Sequence, residues 1–287
     1  MKLNFNSIVV PLLCLTGAGP LAAAERPYFV TYSHHMEEPG SLELSLNPVI
    51  GKPRAGRGFV GGWLELEYGA TGWWTTEFYL DGQATRGDSA LFTGYRWENR
   101  FRPFMREHWI NPVLYVEFEN LNGADRTFRE VVGFDAESAE PNHEARREKE
   151  REIETKLILS SSYKGWNIAE NGIAVKNLSS EPWEFGYAVA VSRPLALAAS
   201  ARPCSFCREN LTAGVELYGG LGDRYAFGLA GTSQYVAPVL AWDLPTGVTL
   251  RVSPTFGLTD ASHRFLLRFG AAYEIGRLGS RVKGMFR

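Results

Sequence analysis

Carboxylates spaced two residues apart recur along this chain. Glu65 and Glu67 form one such pair and Glu117 and Glu119 another, while Glu77, Glu98, Glu154, Glu184 and Glu216 stand singly. Paired carboxylates can serve as general acid and general base. Arg96, Arg100, Lys156, Arg251 and Arg268 fall on the same alternating phase, however. A cross-paired, salt-bridged lining therefore accounts for the set better than catalysis does. Cys204-Ser-Phe-Cys207 is a C-x-x-C, for which a local disulfide is the default in an exported protein. A thioredoxin-like role needs a βαβ setting and zinc needs two more ligands; neither is visible. His34-His35 with Glu37 and Glu38 offers metal-ligand chemistry, but reads better as a solvated stretch. Ser262-His263 has the types of a hydrolytic pair, yet neighbours in a strand point to opposite faces. His108 and His143 have no partnering serine nearby. No catalytic residue, metal site or cofactor follows from these patterns.

Side chains that share one lining need an element with a two-residue period. In Trp63–Tyr68, Leu64, Leu66 and Tyr68 share one face, with Glu65 and Glu67 opposite. Leu114, Val116 and Phe118 oppose Glu117 and Glu119, and Phe265, Leu267, Phe269 and Ala271 oppose Arg268 and Gly270. Counting such runs predicts about twelve strands, at 41–50, 58–69, 73–82, 89–100, 111–120, 153–162, 166–177, 182–193, 211–220, 233–243, 246–257 and 263–275. Most are about ten residues long, the length a tilted strand needs to cross hydrocarbon. Short turns (Ala70-Thr71-Gly72, Tyr163-Lys164-Gly165, Pro245-Thr246-Gly247) would be periplasmic, and longer polar loops at 83–88, 121–152 and 221–232 would face outward. The charged run Glu144–Glu152 reads as a solvated helical extension. Segment 194–210 reads as holding a short periplasmic helix around Leu195–Ala201.

Residues 1–24 read as a cleaved signal peptide: Lys2, the apolar run Ile8–Leu15, then Ala22-Ala23-Ala24. Residues 25–40 would be a periplasmic N-terminal segment, 41–275 the barrel and 276–287 a C-terminal tail. With a net charge of -2 and no basic tract, nucleic acid is excluded as a partner. No later segment can cross a membrane as a helix, so a membrane-spanning chain must be a closed barrel. A soluble barrel also alternates, so the pattern does not say which face is inside. Three features favour a transmembrane antiparallel up-and-down β-barrel. The strands exceed the ~8 of a side-chain-filled soluble barrel. The polar face carries both charge signs. And Trp63, Trp73, Trp74, Trp97, Trp109, Trp166, Trp183, Trp242 and Tyr273 gather near strand ends as an interfacial girdle would.

Several stretches carry a resemblance: Glu38-Pro39-Gly40-Ser41-Leu42-Glu43-Leu44, Leu64–Thr71, Glu117-Phe118-Glu119, Glu154–Ser160 and Phe256–Ser262. Over about residues 30–275 the chain resembles the outer-membrane β-barrel family named for the MetA pathway of phenol degradation. The resemblance implies a cell outer membrane location and transport of small aromatic or hydrophobic compounds. It implies no catalytic residues. The chain departs from common outer-membrane practice by continuing past Ile275 to Phe286-Arg287. The expected partners are outer-membrane lipid, the barrel-assembly machinery and a small-molecule solute. A channel or transporter is the leading expectation. A structural or surface-interaction barrel with a plugged lumen stands second, and a membrane-embedded hydrolase third.

Overall fold

The computed structural model describes residues 27–278, apart from 128–131, 135–139, 180 and 199–203. The expected signal peptide and most of the expected C-terminal tail lie outside the described residues.

Twelve strands follow one another: β1 (Leu42–Lys52), β2 (Phe59–Thr71), β3 (Trp74–Thr85), β4 (Ala90–Phe101), β5 (Asn111–Asn122), β6 (Lys149–Tyr163), β7 (Trp166–Asn177), β8 (Trp183–Pro194), β9 (Leu211–Asp223), β10 (Gln234–Asp243), β11 (Val248–Gly257) and β12 (Phe265–Ile275). Each pairs antiparallel with its sequence neighbours, and β1 closes on β12. Closure leaves no open sheet edge. The start of β1 at Leu42 and the end of β12 at Ile275 pair at one rim, which also carries the turns β2–β3, β6–β7 and β10–β11. The loop between β5 and β6 rises from the opposite rim. The two-residue β6–β7 turn places Lys164 and Gly165 at φ 48° and 82°, the left-handed pair that matches strand twist in a tight hairpin.

The pleat sorts the side chains. Leu46, Leu64, Phe92, Trp97, Leu114, Leu157 and Leu217 are large, apolar and exposed on the outer surface. Their sequence neighbours Ser45, Asn47, Glu65, Glu98, Tyr115 and Glu216 are buried inside. A water-soluble barrel distributes its residues the other way, so this wall suits a lipid surround.

Three local expectations give way. Of the expected helical run Glu144–Glu152, only Glu144 and Ala145 are helical, at the end of the single turn Asn142–Ala145. The β5–β6 ladder continues to Asn122↔Lys149, so residues 149–152 are strand: continuing an existing ladder outweighs a helical preference of the charged run. The described residues 195–198 hold no helix, and the Leu195 N–H donates to Leu211 O instead, prolonging the β8–β9 pairing. Trp63 does not belong to a girdle. It lies on the inner face, buried, and its indole N–H donates to Glu65 at 3.2 Å.

Candidate functional site

The lumen is the site, and its lining divides by strand. On β2–β6 many of the inward positions near mid-strand are long and charged. Arg100 on β4 reaches Glu67 on β2 and Glu77 on β3 through Nη2, with its Nε 3.2 Å from Glu98 Oε1. Arg96, two inward positions along β4, donates to Glu117 at 2.8 Å and pairs with Asp81 at 3.3 Å. Lys156 pairs with Glu154 at 2.7 Å, two residues apart on β6. Aromatic rings separate these charges. Arg96 lies 4.0 Å from the Tyr79 ring centre, and Lys156 4.2 Å from that of Tyr115, within cation–π range. The Tyr79 hydroxyl reaches Glu77 and Glu98, and the Tyr115 hydroxyl reaches Glu117. Glu65 accepts from Ser45, Asn47 and Trp63. Such a lattice is favourable inside a barrel only because nearly every charge has a partner.

Two trios bring carboxylate oxygens within 4.8 Å of one another, Glu43–Glu65–Glu67 and Glu117–Glu119–Glu154. Their neighbours are the wall's own donors and cations: Ser45, Asn47 and Trp63 for the first, Arg96 and Lys156 for the second. The remaining lining residues are more dispersed. Arg251 and Arg268 face the central cavity from β11 and β12. Glu184 stands at the long-loop rim beside Gly133.

On β7–β12 most inward positions are small: Ala169, Gly186, Ala188, Ala190, Ser192, Gly214, Ala237, Val239, Ala241, Gly270 and Ala272. A methyl group at Gly270 would stand 3.0 Å from both Asn47 Oδ1 and Arg251 Nε, and 3.4 Å from the Phe29 ring. These short side chains leave a groove, and the N-terminal segment fills it. Residues 28–36, read from sequence as solvated and periplasmic, lie inside the barrel. Tyr28 packs on Ala169, Ala190 and Val239, and its hydroxyl reaches Ser192 at 2.8 Å and Asn167 at 3.0 Å. The backbone N–H groups of Phe29, Val30 and Thr31 all donate to the carboxylate of Glu216, at 2.8, 2.9 and 2.8 Å. Asn171 binds both backbone groups of Tyr32, at 2.7 and 2.9 Å. Arg251 donates to Tyr28 O at 3.1 Å. The Tyr32 hydroxyl crosses the lumen to Glu98 at 2.9 Å. His34, expected in solvent, is buried and bonded to Ser160 at 2.9 Å. Amides brought into a lumen without strand partners must find acceptors, and wall side chains supply them.

A second insertion enters from the opposite rim. Gln83 binds Ala124 O and Arg126 N at 2.8 and 2.9 Å, and His263 Nε2 lies 3.0 Å from Arg126 O. Ser262 is engaged by the Gln234 backbone and by Thr259. The serine and histidine thus anchor separate backbone segments. Between the two insertions lies a cavity of about 110 Å³, bordered by Tyr32, Trp63, Tyr79, Arg96, Glu117 and Lys156 among others. That is space for several waters. At the β8–β9 connection, Cys204 and Cys207 are bonded to each other, with Cα atoms 5.5 Å apart.

Asp81, Tyr79, Tyr115 and Trp63 belong to the site but were not assigned to it from sequence. The alternation that placed Glu65 and Glu77 inward places these residues inward too; treating aromatics as lipid-facing hid three of them. No motif marked residues 28–36 as an occupant of the lumen.

No family model matches the chain, and no curated protein matches it in sequence. Among solved structures, the COG4313 outer membrane channel from Pseudomonas putida F1 is similar at TM-score 0.55 and 11% identity, covering 84% of this chain and 98% of that one. The KdgM porin gives 0.45 and 7%, over 81% and 98%. LpxR from Salmonella typhimurium gives 0.40 and 10%, over 81% and 99%. The chain therefore shares its closed antiparallel barrel with a solved outer-membrane channel, at an identity that speaks for the fold alone.

Proposed function

We propose that this protein is an outer-membrane channel for small organic compounds, resting in a closed state. The single observation that carries the reading is the barrel's inverted distribution: an exposed apolar wall around a charged interior that its own N-terminal segment occupies. Export with signal cleavage near Ala24 and insertion by the barrel-assembly machinery fit this reading. A barrel of twelve strands is wider than side chains alone can fill and narrower than a general porin. Displacing residues 28–36 opens the side lined by small residues and leaves the charge lattice intact on the other. Carboxylates outnumber cations in that lattice, which favours cationic or neutral solutes. Aromatic or hydrophobic solutes, as the sequence resemblance suggests, would be captured by rim aromatics and pass along the wall.

Single-channel recording on the mature chain in planar bilayers tests the proposal. We expect small, intermittent conductance with mild cation preference, and larger, steadier openings in Tyr28→Ala, which loosens the plug. Absence of conductance in both proteins leaves the structural barrel with a plugged lumen as the better reading.

A further inference from the structure

Resting on the channel reading, we infer that Glu216 is a binding site for an organic cation bearing N–H groups, an alkylammonium or alkylguanidinium, which competes with the N-terminal plug. Glu216 is fully buried. The hydrogen bonds it accepts come from the plug: three consecutive backbone N–H groups converge on its two oxygens. Among the described residues no lysine or arginine lies within ion-pair distance of it.

Three N–H donors on one carboxylate are what an ammonium or guanidinium group presents, here delivered by neutral peptide groups. When the plug withdraws, the carboxylate loses every one of these donors and water enters in their place. A cation with N–H groups restores the bonds in charge-assisted form, which is stronger than neutral donation. The space vacated by Tyr28 and Phe29 sets the rest of the ligand. Ala169, Ala190 and Val239 form a small apolar floor, with Asn167, Ser192 and Asn171 at its edge. The site therefore suits a cationic head on a short apolar body, and its ligand and the plug exclude each other.

The test places a thiol in the plug. Cys14 lies in the expected signal peptide and Cys204 is bonded to Cys207, so Thr31→Cys is the one free thiol of the mature chain, and Thr31 is buried. Its labelling rate by a bulky, water-soluble maleimide reports plug release in the folded, full mature protein. We expect n-butylguanidinium to accelerate labelling about tenfold. Tetramethylammonium, which has charge but no N–H, should leave it unchanged at equal ionic strength. Glu216→Gln should label fast with or without the guanidinium. Tyr28→Ala keeps the carboxylate but weakens the competitor, so it should bind n-butylguanidinium about tenfold more tightly. Equal acceleration by both cations, or slow labelling in Glu216→Gln, overturns the inference. Conductance separates the two ideas: open channels with no guanidinium response overturn the Glu216 site alone, whereas a guanidinium response in a barrel that never conducts overturns the channel and keeps the site.

Discussion

Along β2–β6 the lumen is filled by the wall's own long side chains, while along β7–β12 it is filled by a separate stretch of backbone. The first side needs charge neutralisation, because Arg, Lys, Glu and Asp that reach the centre leave water behind. The second side needs hydrogen-bond acceptors, because short side chains cede their volume to a segment whose amides arrive unpaired. Arg100 and Glu216 answer those two needs: one cation gathers three carboxylates, one carboxylate gathers three amides. On the proposed channel reading, the first side belongs to barrel stability and the second to opening.

The largest expected effect lies on the charged side. Arg100→Leu strands Glu67, Glu77 and Glu98 without their shared cation, and breaking a buried pair typically costs about 3–5 kcal/mol. A sharply lowered urea midpoint at neutral pH is the expected result; an unchanged midpoint would break the idea that ion pairing holds this half together. Next in size is an effect the two sides should share. Leu66 and Leu217 project outward from mid-strand on β2 and β9, and arginine at either should cost about 2–4 kcal/mol. Refolding into bilayers measures both. A large inequality would show that the halves differ on the lipid face as well as in the lumen.

Ala190→Leu sharpens the comparison from the small side. The added side chain occupies the floor under Tyr28, and overpacking of this kind costs about 1–3 kcal/mol, levied here on plug docking. Limited proteolysis should then cut within residues 27–40 while the barrel's urea midpoint stays put. Continued protection of that segment would mean the small residues do not set the groove. The smallest effect concerns the loop between β8 and β9. Replacing Cys204 and Cys207 by serine removes a very short cross-link, whose stabilisation lies below the ~3 kcal/mol of a 15-residue loop. The native pair should resist alkylation until reduced, and the double variant should still fold.

Much of the wall was legible because the pleat is local. Leu64, Glu65, Leu66 and Glu67 declare two faces within four residues, and the structure places the strands within a few residues of the expected ranges. Legibility failed where a residue's fate depends on distant partners. Glu150 and Arg151 look helical beside their charged neighbours, yet they are strand because β5 already presents a ladder to continue. Trp63 looks interfacial by type, yet points inward by register. His34 looks solvated by position, yet is buried because Ser160 and the β6 wall wait for it.

From the sequence alone, period-two alternation determined that this chain builds about twelve amphipathic strands, since which face a side chain takes is set by the parity of its position. Tertiary structure decided what those faces meet. Closure of β1 onto β12 chose the inside, and cross-strand register brought Arg100 to Glu67 and Glu77. Residues 29–31 found Glu216 across a gap of 185–187 positions. No local pattern encodes that last contact, because it arises only when short side chains on one half of a closed wall leave room for the chain's own backbone.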